Sequence, residues 1–99
     1  MASSKEYLEF ILDQYRELEG ISYRPMMGEY VFYYKGVVFG GIYDDRFLVK
    51  PLECVKEIMP NAKMVIPYPG SKGMLSVTDV DDIDLLIKLA KAVYEELTK

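Results

Sequence analysis

Ninety-nine residues, 51% hydrophobic and 28% charged, allow one small core and are too apolar to stay disordered. A net charge of −4 and an isoelectric point near 4.8 exclude bulk attraction to nucleic acid or anionic membrane, with only a local basic patch left open. A single cysteine, Cys54, excludes an internal disulfide, and the absence of histidine removes the commonest general base and the commonest transition-metal ligand.

No apolar run approaches the roughly 18 residues of a membrane span, and Met1–Lys5 opens no signal peptide. The expectation is a complete, cytoplasmic chain with no membrane contact, folded as one domain over residues 1–99.

The first helix is expected to begin at Ser3 or Ser4, where Ser3-x-x-Glu6 matches a capping box. Leu8, Ile11, Leu12, Tyr15 and Leu18 follow at helical spacing, and Gly20 ends the run. Strands are expected at Ile21–Met27, Glu29–Tyr34, Val37–Tyr43 and Arg46–Val49, the last three joined by two-residue turns at Lys35-Gly36 and Asp44-Asp45. A short helix follows over Pro51–Met59, then strands at Lys63–Ile66 and Met74–Val77. Pro67–Gly73 between them is too rich in proline and glycine for a strand and reads as an exposed loop. The closing helix is capped by Thr78 or Asp79 and carries Ile83, Leu86, Ile87, Ala90, Val93, Tyr94 and Leu97 as one apolar stripe. The order α-β(3–4)-α-β(2)-α makes an α+β fold, an antiparallel meander with three helices mostly on one face.

Ideal two-residue turns pair Phe32 with Phe39 and Ile42 with Phe47. One sheet face then collects Val31, Tyr33, Val38, Gly40, Ile42, Phe47 and Val49, which we assign to the helix-covered core. The other collects Tyr30, Phe32, Tyr34, Val37, Phe39, Gly41, Tyr43 and Leu48, with Arg46 and Lys50 at one edge. A one-sided sheet alternates apolar with polar, and this one does not. The first helix, a second copy or another partner is expected to cover part of the aromatic face. A slip of one residue in either turn would exchange the two faces.

No catalytic constellation is visible. Cys54 reads as a small core residue. Asp79, Asp81, Asp82 and Asp84 read as helix capping, since the run lacks the mid-loop glycine and terminal glutamate of a calcium loop. Gly70-Ser71-Lys72-Gly73 lacks the strand–helix setting of a phosphate loop. Arg24, held extended before Pro25, is expected to pair with Glu29 or Asp45, or else to contact an anionic group on a partner. No cofactor motif is present.

Arg24-Pro-Met-Met-Gly28-Glu-Tyr30, the aromatic strands, and Asp44-Asp45-Arg46-Phe47-Leu48-Val49-Lys50-Pro51 together resemble the TfoX/Sxy N-terminal domain over nearly the whole chain. Met27 stands where that family usually has phenylalanine, and Glu29 where it usually has a second glycine. The resemblance implies a three-helix α+β fold related to secretion-chaperone-like folds. It also implies a loose link to competence regulation, where the family acts with the cyclic-AMP receptor protein at promoters. Competence regulation itself is not carried over, because the regulatory members have a second, C-terminal domain.

The expectation is therefore a non-enzymatic regulatory module that binds a protein partner or a copy of itself. The expected anchors are Tyr30, Phe32, Tyr34, Phe39 and Tyr43, with Arg24, Arg46 and Lys50 as cationic contacts. The alternative is single-stranded nucleic acid stacked on the same rings, which the acidic balance disfavours.

Overall fold

Reversals at residues with positive φ set most of the topology in the computed structural model, which describes residues 3–99. Met27-Gly28 (φ 52° and 86°), Lys35-Gly36 (51° and 83°) and Asp44-Asp45 (54° and 54°) each turn the chain in two residues. Paired left-handed residues make type I′ turns, whose twist matches that of the strands they join. The turns connect β1 (Ile21–Met26), β2 (Glu29–Tyr34), β3 (Val37–Ile42) and β4 (Phe47–Val49) into an antiparallel meander. β5 (Met64–Val65) and β6 (Met74–Val77) complete a six-stranded sheet of order β1-β2-β3-β4-β6-β5, antiparallel throughout. The α+β class and the element order are those expected.

Helices α1 (Lys5–Gln14), α2 (Glu53–Ile58) and α3 (Ile83–Thr98) bury their apolar stripes in one cluster. Ser4 caps α1 by accepting the Tyr7 N–H at 3.2 Å, so the Ser3-x-x-Glu6 box is not the cap. Asp82, not Thr78 or Asp79, caps α3 through the Leu85 N–H. Tyr15, just past α1, is buried among Phe32, Phe39 and Phe47 with ring centroids 5.8–6.4 Å apart. Its hydroxyl donates to the Leu86 carbonyl at 2.8 Å, so the ring packs the sheet while its polar tip is satisfied on α3.

The sheet faces differ from the expected ones for one physical reason. Tyr34 pairs with Val37 and Tyr33 with Val38, as an ideal turn requires, but Phe32 stands opposite Gly40. Phe39 is an extra residue on β3, a β-bulge, and beyond it every side chain of β3 changes face relative to β2. Phe32 and Tyr34 consequently share the helix-covered face with Ile42, Phe47 and Val49, and Phe39 joins the same cluster. Both halves expected on opposite faces therefore meet in one core. Phe32 and Phe39 are fully buried, and Tyr34 and Tyr43 nearly so. Phe32, Phe39 and Tyr34 lie in the core and offer no surface to a partner, and the nucleic-acid alternative that relied on the same rings loses its stacking surface.

Candidate functional site

One end of the sheet gathers the tips of two hairpins together with Ser3 and Ser4. Glu29 opens β2 directly after the Met27-Gly28 turn, and its carboxylate collects three donors. The Ser3 hydroxyl donates to Oε1 at 2.7 Å and the Ser3 N–H at 3.0 Å, while the Asp44 N–H donates to Oε2 at 2.9 Å. Ser3 Oγ in turn accepts the Asp45 N–H at 3.0 Å, and Asp45 Oδ1 accepts the Ser4 N–H at 2.7 Å. Bonds to ionised acceptors are the stronger kind. This clip explains why Ser3 is buried, and it gives Glu29 and Asp45 structural work.

Beside the clip lies a cleft of about 600 Å³. The β1–β2 tip supplies Met26, Met27 and Glu29; the end of β3 supplies Tyr43; the loop between β5 and β6 supplies Pro67, Tyr68 and Pro69. The loop is shaped by a turn in which the Ser71 N–H and hydroxyl both donate to the Tyr68 carbonyl, at 3.1 and 2.7 Å. Pro69 followed by Gly70 at φ 85° is the sequence a type II turn requires. Tyr68 is thereby laid against Tyr43, centroids 6.2 Å apart, and its ring stays half exposed. The chain's own loop thus covers part of the second sheet face. Burial raises the Tyr43 phenol above its ordinary value, and Tyr68, Glu29 and Tyr33 raise it further.

Met27 is the anomaly of this site. It is 99% exposed and holds φ 52°, a backbone region that disfavours side-chain-bearing residues. The other non-glycine residues with positive φ among those described are Lys35, Asp44 and Asp45, all polar. Aspartate tolerates the region through local hydrogen bonds, and Lys35 lays its ammonium over the Tyr34 and Tyr94 rings. Met27 gains nothing of the kind.

Of the residues expected to bind a partner, only Tyr43 reaches this cleft. Tyr30 is half-buried, its ring edge-on to that of Tyr23 at 5.8 Å. Arg46 is half-buried and turns back to donate from Nε to the Tyr43 carbonyl at 3.2 Å. Lys50 is half-buried where β4 ends, its N–H on the Phe39 carbonyl. Arg24 is exposed on the edge strand β1, near Ser22, Tyr23 and Tyr33. It pairs with neither Glu29 nor Asp45: the ion pairs among the described residues are Arg16–Asp13, Lys56–Glu53 and Lys99–Glu96. Cys54 is half-buried against α3, its thiol 3.6 Å from the Ala92 carbonyl and raised above its ordinary pKa by burial and then by Glu96. Among the described residues no cluster of Cys, Asp or Glu is arranged to hold a metal ion, and no helix is long and apolar enough to cross a membrane.

Met26, Met27, Glu29, Pro67, Tyr68 and Pro69 were outside the expected site. The available signal was Met26-Met27 before Gly28, a pair of apolar residues where a hairpin turn favours asparagine or aspartate.

The chain is similar to an uncharacterized 12.7 kDa protein in the trpE 5′ region of Spirochaeta aurantia. The two are 34% identical over 80 residues, covering 81% of this chain and 70% of the relative. No family model matches the chain, and no solved structure matches it.

Proposed function

The chain belongs to the family of that Spirochaeta aurantia protein, and from the geometry of its surface we propose that it is a non-catalytic binding module. Its cleft between the β1–β2 tip and the Tyr68 loop receives a segment of a protein partner. The observation that carries this reading is Met27, an apolar side chain held in water on a disfavoured backbone at the rim of an apolar cleft. Strain that packing does not repay is a mark of a functional position. Methionine, tyrosine and proline suit a surface that adapts to another chain, because thioethers re-pack readily and tyrosine offers rigid area with a polar tip. A regulatory setting for that contact is part of the proposal and rests on the sequence resemblance to the TfoX/Sxy N-terminal domain alone, since no family model matches the chain.

Photo-crosslinking tests the proposal. A benzophenone side chain is placed at Met27 and, as control, at exposed Lys91 on α3. The expected result is a discrete protein adduct from host lysate at position 27, absent at position 91 and lost with Tyr68→Ala. Equal labelling at both positions, or no adduct at 27, would refute it.

A further inference from the structure

We propose that the cleft takes an arginine side chain of its partner, with the guanidinium over the Tyr68 ring beside Glu29 and the aliphatic stem against Met26 and Met27. The inference rests on the binding-cleft reading above and gives it a chemistry.

Charge argues first. Glu29 is the one charged side chain lining the cleft, and the Asp44-Asp45 turn adjoins it through the Asp44 N–H bond to Glu29. Among the described residues none of these three carboxylates has a cationic partner within the chain. This end of the molecule therefore carries net negative charge around an aromatic and thioether surface, three carboxylates against the one guanidinium of Arg46, which lies at the same turn on the Tyr43 carbonyl. A positive group is complementary to it, and a negative one is repelled.

The rings argue second. Tyr68 presents a half-exposed face, tilted 45° to Tyr43. A cation within about 6 Å of a tyrosine centroid is attracted by the ring quadrupole. The chain already makes this contact elsewhere, with Lys35 Nζ 5.3 Å from the centroids of both Tyr34 and Tyr94. Arginine is the better guest here, because its planar, weakly hydrated guanidinium stacks on an aromatic face while still meeting a carboxylate. Its stem needs apolar wall, which the two methionines supply.

A second copy of the chain is disfavoured by the same charges. A two-fold contact between clefts would bring Glu29, Asp44 and Asp45 of one molecule against their counterparts in the other.

The test uses the full chain with methyl-labelled methionine, titrated with an acetylated, amidated Gly-Leu-Arg-Leu-Gly peptide. Parallel titrations replace its arginine by citrulline, which keeps the shape and removes the charge. Saturable shifts of the Met26 and Met27 methyls, with Met59 unmoved, are expected for the arginine peptide. Affinity should fall about three- to fivefold with Tyr68→Ala, and at least as much with citrulline. Raising salt should weaken binding, since the charges are near solvent. Equal affinity for the citrulline peptide would overturn the arginine assignment and leave the cleft reading standing. No shift with any peptide would overturn the assignment, and crosslinking at Met27 would then decide the cleft reading by itself. Concentration-dependent self-association abolished by Tyr68→Ala would overturn it in favour of a second copy.

Discussion

Replacing Met27 by asparagine should stabilise the fold and weaken binding at once. The stability term follows from the backbone. Met27 sits at φ 52° as the first residue of a type I′ turn whose second residue is Gly28 at φ 86°. A left-handed conformation costs an ordinary L-residue roughly 1–2 kcal/mol, and asparagine recovers much of that through local hydrogen bonding. At 99% exposure the methionine has no buried area to lose, so no packing cost opposes the gain. Asn-Gly is the preferred pair for such a turn.

The net expectation is a gain of about 1 kcal/mol, which for a domain of this size raises Tm by roughly 4–8 °C. Thermal unfolding followed by circular dichroism reads it directly. Binding is read from the Gly-Leu-Arg-Leu-Gly titration, followed at the Met26 methyl that the variant keeps. Methionine at this turn then trades stability for recognition, as expected of a strained functional position. A fall in Tm would show that Met27 makes stabilising contacts in solution and would sink the backbone argument. A rise in Tm with unchanged binding would sink the functional one.

Three other substitutions or conditions test the fold around the cleft. Phe39→Ala removes a fully buried ring at the bulge and should cost about 3–5 kcal/mol by chemical denaturation; a loss below about 1 kcal/mol would place Phe39 outside the core. Gly41→Ala puts a Cβ 2.5 Å from the Tyr30 carbonyl and 2.9 Å from the Tyr43 ring, so it should destabilise by about 1–3 kcal/mol and shift the Tyr43 resonances; an unchanged midpoint would refute that close approach. Burial raises the Tyr15 and Tyr43 phenols, so above the ordinary phenol pKa of about 10 the unfolded chain binds fewer protons than the folded one. Stability should therefore be intact below that pH and fall as pH rises through it. A flat profile in Tyr15→Phe, with the slope kept in Tyr43→Phe, would assign the effect to Tyr15 alone.

Elements and topology were legible because their signals are local. Lys35-Gly36 and Asp44-Asp45 mark two-residue reversals, Gly28 marks the third, and the expected spans of β2 and β6 match those observed. The faces were not legible, because a bulge changes the register without changing any local preference. Its only trace is Gly40-Gly41. A Cβ at Gly40 would collide with the Leu48 carbonyl, and a Cβ at Gly41 with that of Tyr30, so β3 bends where its neighbours approach most closely. An aromatic strand read without that bend looks two-sided. With it, the rings of Phe32, Phe39 and Phe47 form one core. The cleft was hidden for a different reason: its walls come from residues 26–29, 43 and 67–69, and no sequence pattern brings a proline-rich loop back over a distant hairpin tip.

The clip and the cleft share Glu29, and that overlap decides which residues can speak for function. Glu29 accepts bonds from Ser3 and from the Asp44 backbone, so its presence is explained whether or not anything binds. Removing it would break the bonds that tie Ser3 to both hairpin tips, with the Ser3 N–H keeping its bond to the Gly28 carbonyl, and a loss of binding would then mean little. Tyr43 is compromised in the same way by its contact with Gly41. Met27 and Tyr68 are different. One touches almost nothing, and the other shows half its ring to solvent on a loop whose turn is held by Ser71 and Gly70. Met27 is not needed to explain the fold, so a change in binding on replacing it reports on recognition itself; Tyr68 also covers Tyr43, so its replacement is read beside the stability of the variant.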